Sequence, residues 1–379
     1  MRILTFSNFY DTHGGGLERV AAKLCREFAR EGHEASWAAS DQDGLPDSPA
    51  KLVPLDCINP TERLTGLPMP IPKPRSMRAL YVAVRDSDIV ILHDALYVGS
   101  ILAMIFARRM RKPAVLIQHI GSIEFRNSVL ALIMRLANRL VTRPMMKAAD
   151  RLVFISATVR EELAPEGSGI ASVLTYNGID AGIFNRVGAG ARERTRTQWQ
   201  LPADKPVAVF VGRFVEKKGL SIIREIARLR PDISFALVGQ GPINPRGWGL
   251  ANVQCLGQLE PEALADIYRA SDMLLLPSVG EGYPLVVQEA MACGLPVVTA
   301  ETTTRADPDA SVYLAGVKIE LADPLASARR CSEAMDEVLG AGADREAMSR
   351  YALATYDWGA MAREVLGGLA ARASSPEVL

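Results

Sequence analysis

In the segment SVGEGYPLVVQEAMACGLPVV, two carboxylates, Glu281 and Glu289, stand with seven residues between them. A strand-like run, DMLLL at 272–276, precedes them. Pro284 suits the first turn of a helix, where its missing amide hydrogen would have no partner in any case. Gly282 and Tyr283 then form the loop into that helix, and the free amides at its amino end favour an anion. Glu281 falls at the loop mouth and Glu289 on the second turn, both able to accept hydrogen bonds from sugar-type hydroxyls. Upstream, VGRFVEKKGL sets Gly212 and Arg213 after another strand and Lys217, Lys218 and Gly219 ahead of a helix. Arginine grips two phosphate oxygens at once and lysine adds a mobile point charge, so the pair can neutralise a departing diphosphate without a metal ion.

The first half offers weaker signals. DTHGGGLERV places three glycines, Gly14, Gly15 and Gly16, before a helix pattern, where the backbone can approach a ligand closely; the spacing is not the G-x-G-x-x-G of dinucleotide sites. His119, in LIQHIG, and His93, in ILHDAL, end strand-like runs. Asp-x-Asp occurs three times, at Asp41–Asp43, Asp86–Asp88 and Asp307–Asp309, each time in a loop or capping context. No metal site is expected from them.

These residues need a frame, and the periodicity supplies one. RILTF, DIVIL, AVLIQ and RLVFI in the first half, and VAVFVG, SFALVG, DMLLL and PVVTA in the second, are continuous apolar runs separated by amphipathic stretches. This is the βαβ rhythm of parallel sheets covered on both faces. The expected fold class is therefore α/β, with two doubly wound, Rossmann-like domains and a ligand cleft at the carboxyl ends of their strands. Glycine, charge and proline replace the rhythm at residues 187–206, which sets the boundary: 1–186 for one domain and 187–357 for the other, with a last helix at 358–373. The proline-rich stretch 58–77 reads as a long loop at the cleft edge.

The 379 residues exceed what one hydrophobic core sustains, in keeping with two domains. Formal charge is zero, but residues 1–190 carry 23 basic and 19 acidic side chains against 20 and 24 in the remainder. So small an excess does not point to nucleic acid. Five scattered cysteines argue against disulfides or zinc, and no apolar run is long enough for a signal peptide or a membrane span, so a cytoplasmic protein is expected. Arg135, Arg139, Arg143 and Lys147 recur every four residues among leucines, with Pro144 expected to split the stretch into one helix ending near Thr142 and another beginning at Pro144. With Arg108, Arg109, Arg111 and Lys112, this stripe could rest on anionic lipid at the inner face of the cytoplasmic membrane.

The chain resembles the family-4 retaining glycosyltransferases of the GT-B fold over nearly its whole length. That family's G-R-x-x-x-x-K-G pattern matches Gly212, Arg213, Lys218 and Gly219, and its E-x7-E pattern matches Glu281 and Glu289. The resemblance implies transfer of a hexose from a nucleotide-diphosphate donor to a glycan or lipid-linked acceptor, with retention, no cofactor and no metal. Polysaccharide or lipopolysaccharide assembly is the expected setting. It implies that Arg213 and Lys218 hold the diphosphate, that Glu289 holds the ribose, and that Glu281 with the amides of Gly282, Tyr283, Pro284 and Leu285 faces the sugar. Gly15 and Gly16 would line the cleft opposite the donor, and His119 would join the catalytic set. By topology the base would lie near Gly239–Pro242 and around Leu256 and Gly257. YDWGAMAREVL resembles the helix that crosses back to the first domain. Two rival readings are a sugar-nucleotide epimerase of the same fold, which would turn over without acceptor, and a non-catalytic nucleotide-sugar sensor, which would bind without transfer.

Overall fold

The computed structural model describes every residue except 61–68, 122–131, 133–134, 188–189, 341 and 370–379. The chain forms two compact units: Met1–Asn177 together with the segment from Trp358 onward, and Gly178–Asp357.

The first unit is built on strands β1 (Arg2–Phe9), β2 (Glu34–Ser40), β3 (Lys51–Leu55), a short antiparallel pair β4 (Cys57–Ile58) and β5 (Ile71–Pro72), then β6 (Ile89–His93), β7 (Ala114–Gln118), β8 (Arg151–Phe154) and β9 (Val173–Leu174). Seven of them form one parallel sheet in the order β3-β2-β1-β6-β7-β8-β9. Every residue of β6 and β7 is buried, which is why these strands read as unbroken apolar runs. Helix Gly16–Arg30 buries Val20, Ala21, Leu24, Cys25 and Phe28, a stripe at three- and four-residue spacing. The segment Trp358–Leu366 is a helix that packs on Gly16–Arg30 and β7, burying Met361, Ala362, Val365 and Leu366. Arg363 pairs with Glu31, and Arg151 with Glu364, to fasten it.

The second unit carries β10 (Val207–Val211), β11 (Ser234–Val238), β12 (Val253–Gly257), β13 (Met273–Leu276), β14 (Val297–Ala300) and β15 (Leu314–Val317) in a parallel sheet of order β12-β11-β10-β13-β14-β15.

Three sequence expectations need correction. The units divide at Asn177/Gly178, ahead of the expected 187, because the intervening residues are bonded into the second unit. Ile179 N donates to Tyr356 O, and Arg269 donates to the carbonyls of Ile183 and Asn185. Residues 191–198, read as linker, form a helix instead. The buried Arg196 on it donates to the carbonyls of Ala270 (2.9 Å), Pro202 (2.8 Å) and Lys205 (3.2 Å) and to Asp272 Oδ2 (2.7 Å). In the proline-rich stretch 58–77, β5 pairs with β4 and a helix begins at Pro74, so its described part is not one continuous loop. Residues 61–68 of that stretch, and residues 370–373 of the expected last helix, lie outside the described residues.

Arg196→Met is expected to cost about 3 kcal/mol of stability, because it leaves the buried carbonyl of Ala270 and the part-buried carbonyls of Pro202 and Lys205 without this donor and removes half of the Asp272 pairing. Urea unfolding followed by far-UV dichroism measures this; a loss below about 1 kcal/mol would mean the network behaves as a solvated pair.

Candidate functional site

In each sheet the strand order reverses once, between β1 and β6 in the first unit and between β10 and β13 in the second. Ligands of doubly wound sheets bind beyond the carboxyl ends of the strands at such a reversal. Arg213, Lys218 and Glu281 lie there in the second unit and Gly15 and His93 in the first, with His119, Gly239 and Leu256 at the ends of adjoining strands.

In the second unit the loop after β10 lies against the loop after β13. Gly219 has φ +78°, and a Cβ on it would stand 2.2 Å from Pro277 O, so only glycine permits this approach. Val279 N donates to Lys217 O at 3.0 Å and ties the two loops. Lys218 Nζ then lies 2.9 Å from Glu281 Oε1, both side chains less than a fifth exposed. The contact is an ion pair and not an aligned hydrogen bond: Glu281 Oε1 is buried and has no hydrogen-bond donor among the described residues. Arg213 is exposed, with no side-chain partner among the described residues. Gly239 donates its amide to Gly257 O (2.7 Å), and a Cβ there would stand 2.0 Å from Gly212 O. The loops after β10, β11 and β12 therefore close on one another through glycines, beside the partly exposed Leu256.

Helix Leu285–Ala292 begins one residue later than expected. Pro284 is its N-cap, with φ −65° and ψ 129°, and its carbonyl accepts from Val287 N. As proline has no amide hydrogen, the amides near this end are those of Gly282, Tyr283 and Leu285, and Pro284 supplies none. Glu289 is buried and accepts from Tyr268 OH at 3.2 Å, so it is not a solvated helix residue. The Tyr283 ring is buried too. Its hydroxyl meets that of Tyr356 at 2.8 Å, Tyr356 OH donates to Asp307 Oδ2 (2.7 Å), and Tyr351 OH donates to the same carboxylate (2.9 Å). Asp307 is thus an anchor behind the Glu281–Pro284 loop, which spacing alone gave no reason to suspect. Gln288, fully buried with neither amide atom hydrogen-bonded among the described residues, was also missed.

In the first unit Gly15 caps helix Gly16–Arg30, and a Cβ on Gly15 would stand 2.0 Å from Glu18 Oε2, so the carboxylate folds back over the glycine. At the ends of the neighbouring strands β6 and β7, His93 Nδ1 lies 2.9 Å from His119 Nε2 with the ring planes 19° apart. Asp94, at φ +60°, turns its Oδ1 to accept from the amides of His119 (2.7 Å) and Ile120 (3.3 Å). A positive φ on a non-glycine residue is strained and gathers at functional sites. The Asp94 carboxyl was missed, although the His-Asp pair closing a strand was visible in the sequence. Burial pushes His119 down to about 3; His93 is lowered by burial and then by its neighbour. Asp94 is pushed up to about 7 by burial, against the pull of its two amide donors, with the nearby Glu18 charge adding to the rise.

Of the basic stripe, the described residues run as continuous helix. A π-helical turn at Asn138–Thr142 leads directly into Arg143–Ala148, so the helix does not end at Thr142. The wider turn accommodates Pro144, which lacks an amide to donate. Leu132, Leu136 and Leu140 are exposed by 51%, 49% and 68% alongside exposed Arg135, Arg139 and Arg143; Ile133 and Met134 lie outside the described residues. Among the described residues, no helix is long and apolar enough to cross a membrane.

Two family models match the chain: Glycosyltransferase Family 4 over residues 14–182 and Glycosyl transferases group 1 over residues 205–337. The chain is 30% identical over 170 residues to the D-inositol 3-phosphate glycosyltransferase of Mycolicibacterium smegmatis, a match that covers 40% of this chain and 38% of that protein. The chain thus spans well under half the length of this curated relative. Among solved structures it resembles the sucrose-phosphate synthase of Thermosynechococcus elongatus (TM-score 0.73, 19% identity, 98% of both chains). It also resembles Anabaena HepE in complex with UDP-glucose (TM-score 0.73, 17% identity, 98% of this chain and 100% of that one). Both are of the GT-B fold, which is the fold of this chain.

The buried imidazoles set a pH dependence. Unfolded histidine takes up its proton near 6.5 and these two resist it when folded, so they stabilise above that value and withdraw stability as the pH falls from 6.5 towards 3. Asp94 has the opposite sign: its contribution is complete below 3.8 and is lost as the pH rises to about 7. Two imidazoles outweigh one carboxyl, so the Tm should fall between pH 7 and pH 5, more steeply in Asp94→Asn and less steeply in His119→Asn. Calorimetry across that range tests this, and equal slopes in all three proteins would refute it.

Proposed function

Since the chain belongs to the family-4, group 1 glycosyltransferases, we propose that it is a retaining, metal-independent hexosyltransferase. It moves a sugar from a UDP- or GDP-linked donor to a glycan or lipid-linked acceptor in bacterial surface polysaccharide or lipopolysaccharide assembly. The observation that carries this reading is the Lys218–Glu281 pair at the strand-order reversal of the second sheet, beside the exposed Arg213 and the amino end of helix Leu285–Ala292. A lysine ammonium paired with one carboxylate can exchange that partner for phosphate oxygens, since it is a mobile point charge with three donors.

In this reading Arg213 and Lys218 hold the diphosphate and take up the charge that develops as the glycosidic C–O bond breaks. The departing phosphate oxygen accepts the proton of the acceptor hydroxyl, and the new bond forms on the face the diphosphate leaves. Buried Glu289 accepts from the ribose hydroxyls, held in orientation by Tyr268. Glu281 and the amides of Gly282, Tyr283 and Leu285 meet the sugar, Gly212 opens the diphosphate loop, and Gly239–Pro242 with Leu256 and Gly257 border the base. In the first unit Gly15, Gly16 and His119 are assigned to the sugar side. The UDP-glucose bound by the Anabaena protein supports a nucleotide-sugar donor. We assign the surface of Leu132, Leu136 and Leu140 with Arg135, Arg139 and Arg143 to the cytoplasmic face of an anionic membrane, since apolar side chains flanked by cations suit that interface.

Thermal protection by a panel of nucleotide diphosphates and their sugars, with EDTA present, tests the donor site. One nucleotide should stabilise by about 2.7 kcal/mol at a hundredfold excess over its Kd, and both Lys218→Ala and Glu289→Ala should abolish this. No stabilisation by any nucleotide would remove the donor-site assignment. Transfer by Lys218→Ala should be slower by about 10² to 10³. For the surface, the protein should sediment with vesicles of anionic phospholipid and much less in the double variant Leu136→Ser and Leu140→Ser; equal sedimentation of both would count against it.

A further inference from the structure

We infer that His93 is a positioning residue whose ring decides which nitrogen of His119 carries the proton. The inference extends the proposed function, because it matters to catalysis only where His119 meets the sugar.

Both rings sit in the interior, His93 fully buried and His119 5% exposed. Among the described residues neither imidazole has a carboxylate or hydroxyl partner; their one shared contact is His93 Nδ1 to His119 Nε2 at 2.9 Å, between rings that are nearly coplanar. His93 Nε2 is buried with no hydrogen-bond partner among the described residues. Charged groups nearby act elsewhere: the Asp94 carboxylate is bonded to the backbone amides of His119 and Ile120, and Glu18 bears on Asp94. Two neutral imidazoles sharing one hydrogen bond must divide the roles of donor and acceptor.

Only two arrangements exist. In one, His119 Nε2–H donates, and His93 must carry its own proton on Nε2, as a buried N–H with no acceptor. In the other, His93 Nδ1–H donates to the His119 Nε2 lone pair, and the unpartnered atom is a bare lone pair. Buried N–H groups without acceptors are the rarer defect in proteins. The second arrangement therefore holds, and His119 carries its proton on Nδ1. Asp94 completes the grip: the ring is fixed by one residue and the main chain by the next, through the strained turn at φ +60°. His119 then offers a fixed N–H donor to a sugar oxygen and has no free basic nitrogen.

The test is nitrogen NMR on full-length protein labelled with ring-15N histidine. With only four histidines, His13, His33, His93 and His119, single substitutions assign every signal. The expected result is a pyrrole-type Nδ1 and a pyridine-type Nε2 on His119, with the same pattern on His93. In His93→Phe the His119 signals should move towards a mixture of tautomers. In His93→Asn, whose amide can donate from the place of Nδ1, they should return. Donor turnover should follow the same order: kcat down about tenfold in His93→Phe, the size of one lost hydrogen bond, recovered in His93→Asn, with KM for the donor little changed in either. A proton on His119 Nε2 in the unmodified protein, or a His119 tautomer unchanged in His93→Phe, would overturn the inference. Absence of turnover in every variant, with the NMR pattern as expected, would instead remove the catalytic reading and leave the tautomer control standing.

Discussion

When the strand order of a parallel sheet reverses, the chain leaves two neighbouring strands towards opposite faces, and the carboxyl ends of that pair are not roofed by their own crossovers. Everything chemical in this chain is organised by that constraint, twice over. In the first unit the glycine loop follows β1 and the His-Asp turn follows β6; in the second, the Arg213–Lys218 loop follows β10 and the Glu281 loop follows β13. Neither pair of loops is contiguous in sequence, yet each is brought side by side by sheet register, with Ile3 opposite Ile89 and Val209 opposite Leu274.

The two units treat polar groups in contrasting ways. The second keeps the cations of its candidate site at or near the surface, with Lys218 against a carboxylate and Arg213 in solvent, and sets buried hydrogen bonds behind them in support: Tyr268 behind Glu289, and Asp307 with Tyr351 and Tyr356 behind Tyr283. The first buries two imidazoles that burial keeps uncharged, beside a carboxyl whose ionisation burial opposes, and these groups act chiefly as hydrogen-bonding parts. A charged ligand is suited to the former and neutral hydroxyls to the latter.

What the sequence disclosed, and what it hid, follows from the range of each interaction. The strands and the loops carrying Arg213, Lys218, Glu281 and Glu289 were legible, since their pattern is contained within some ten residues and the apolar runs announce fully buried strands. The His93–His119 contact spans 26 positions and that of Tyr356 with Asp307 spans 49, and no local pattern encodes such pairings. The helix Ala191–Gln198 has almost no apolar stripe, so hydrophobic periodicity gives no sign of it; the hydrogen bonds of the buried Arg196 side chain hold it in place. Pro144 was expected to stop a helix, and a π turn absorbed it.

The helix Trp358–Leu366 belongs to the first unit although the whole of the second unit precedes it in the chain. On the ribosome, therefore, the first unit emerges with a vacant seat on helix Gly16–Arg30 and β7, and it keeps that seat open while some 180 further residues are made. The inserted unit can close its own sheet and core first, since all its strands lie between the two crossings. Order of completion thus runs against order of synthesis: the part of the protein that begins first is finished last, and an apolar groove stays uncovered in the nascent chain until the end.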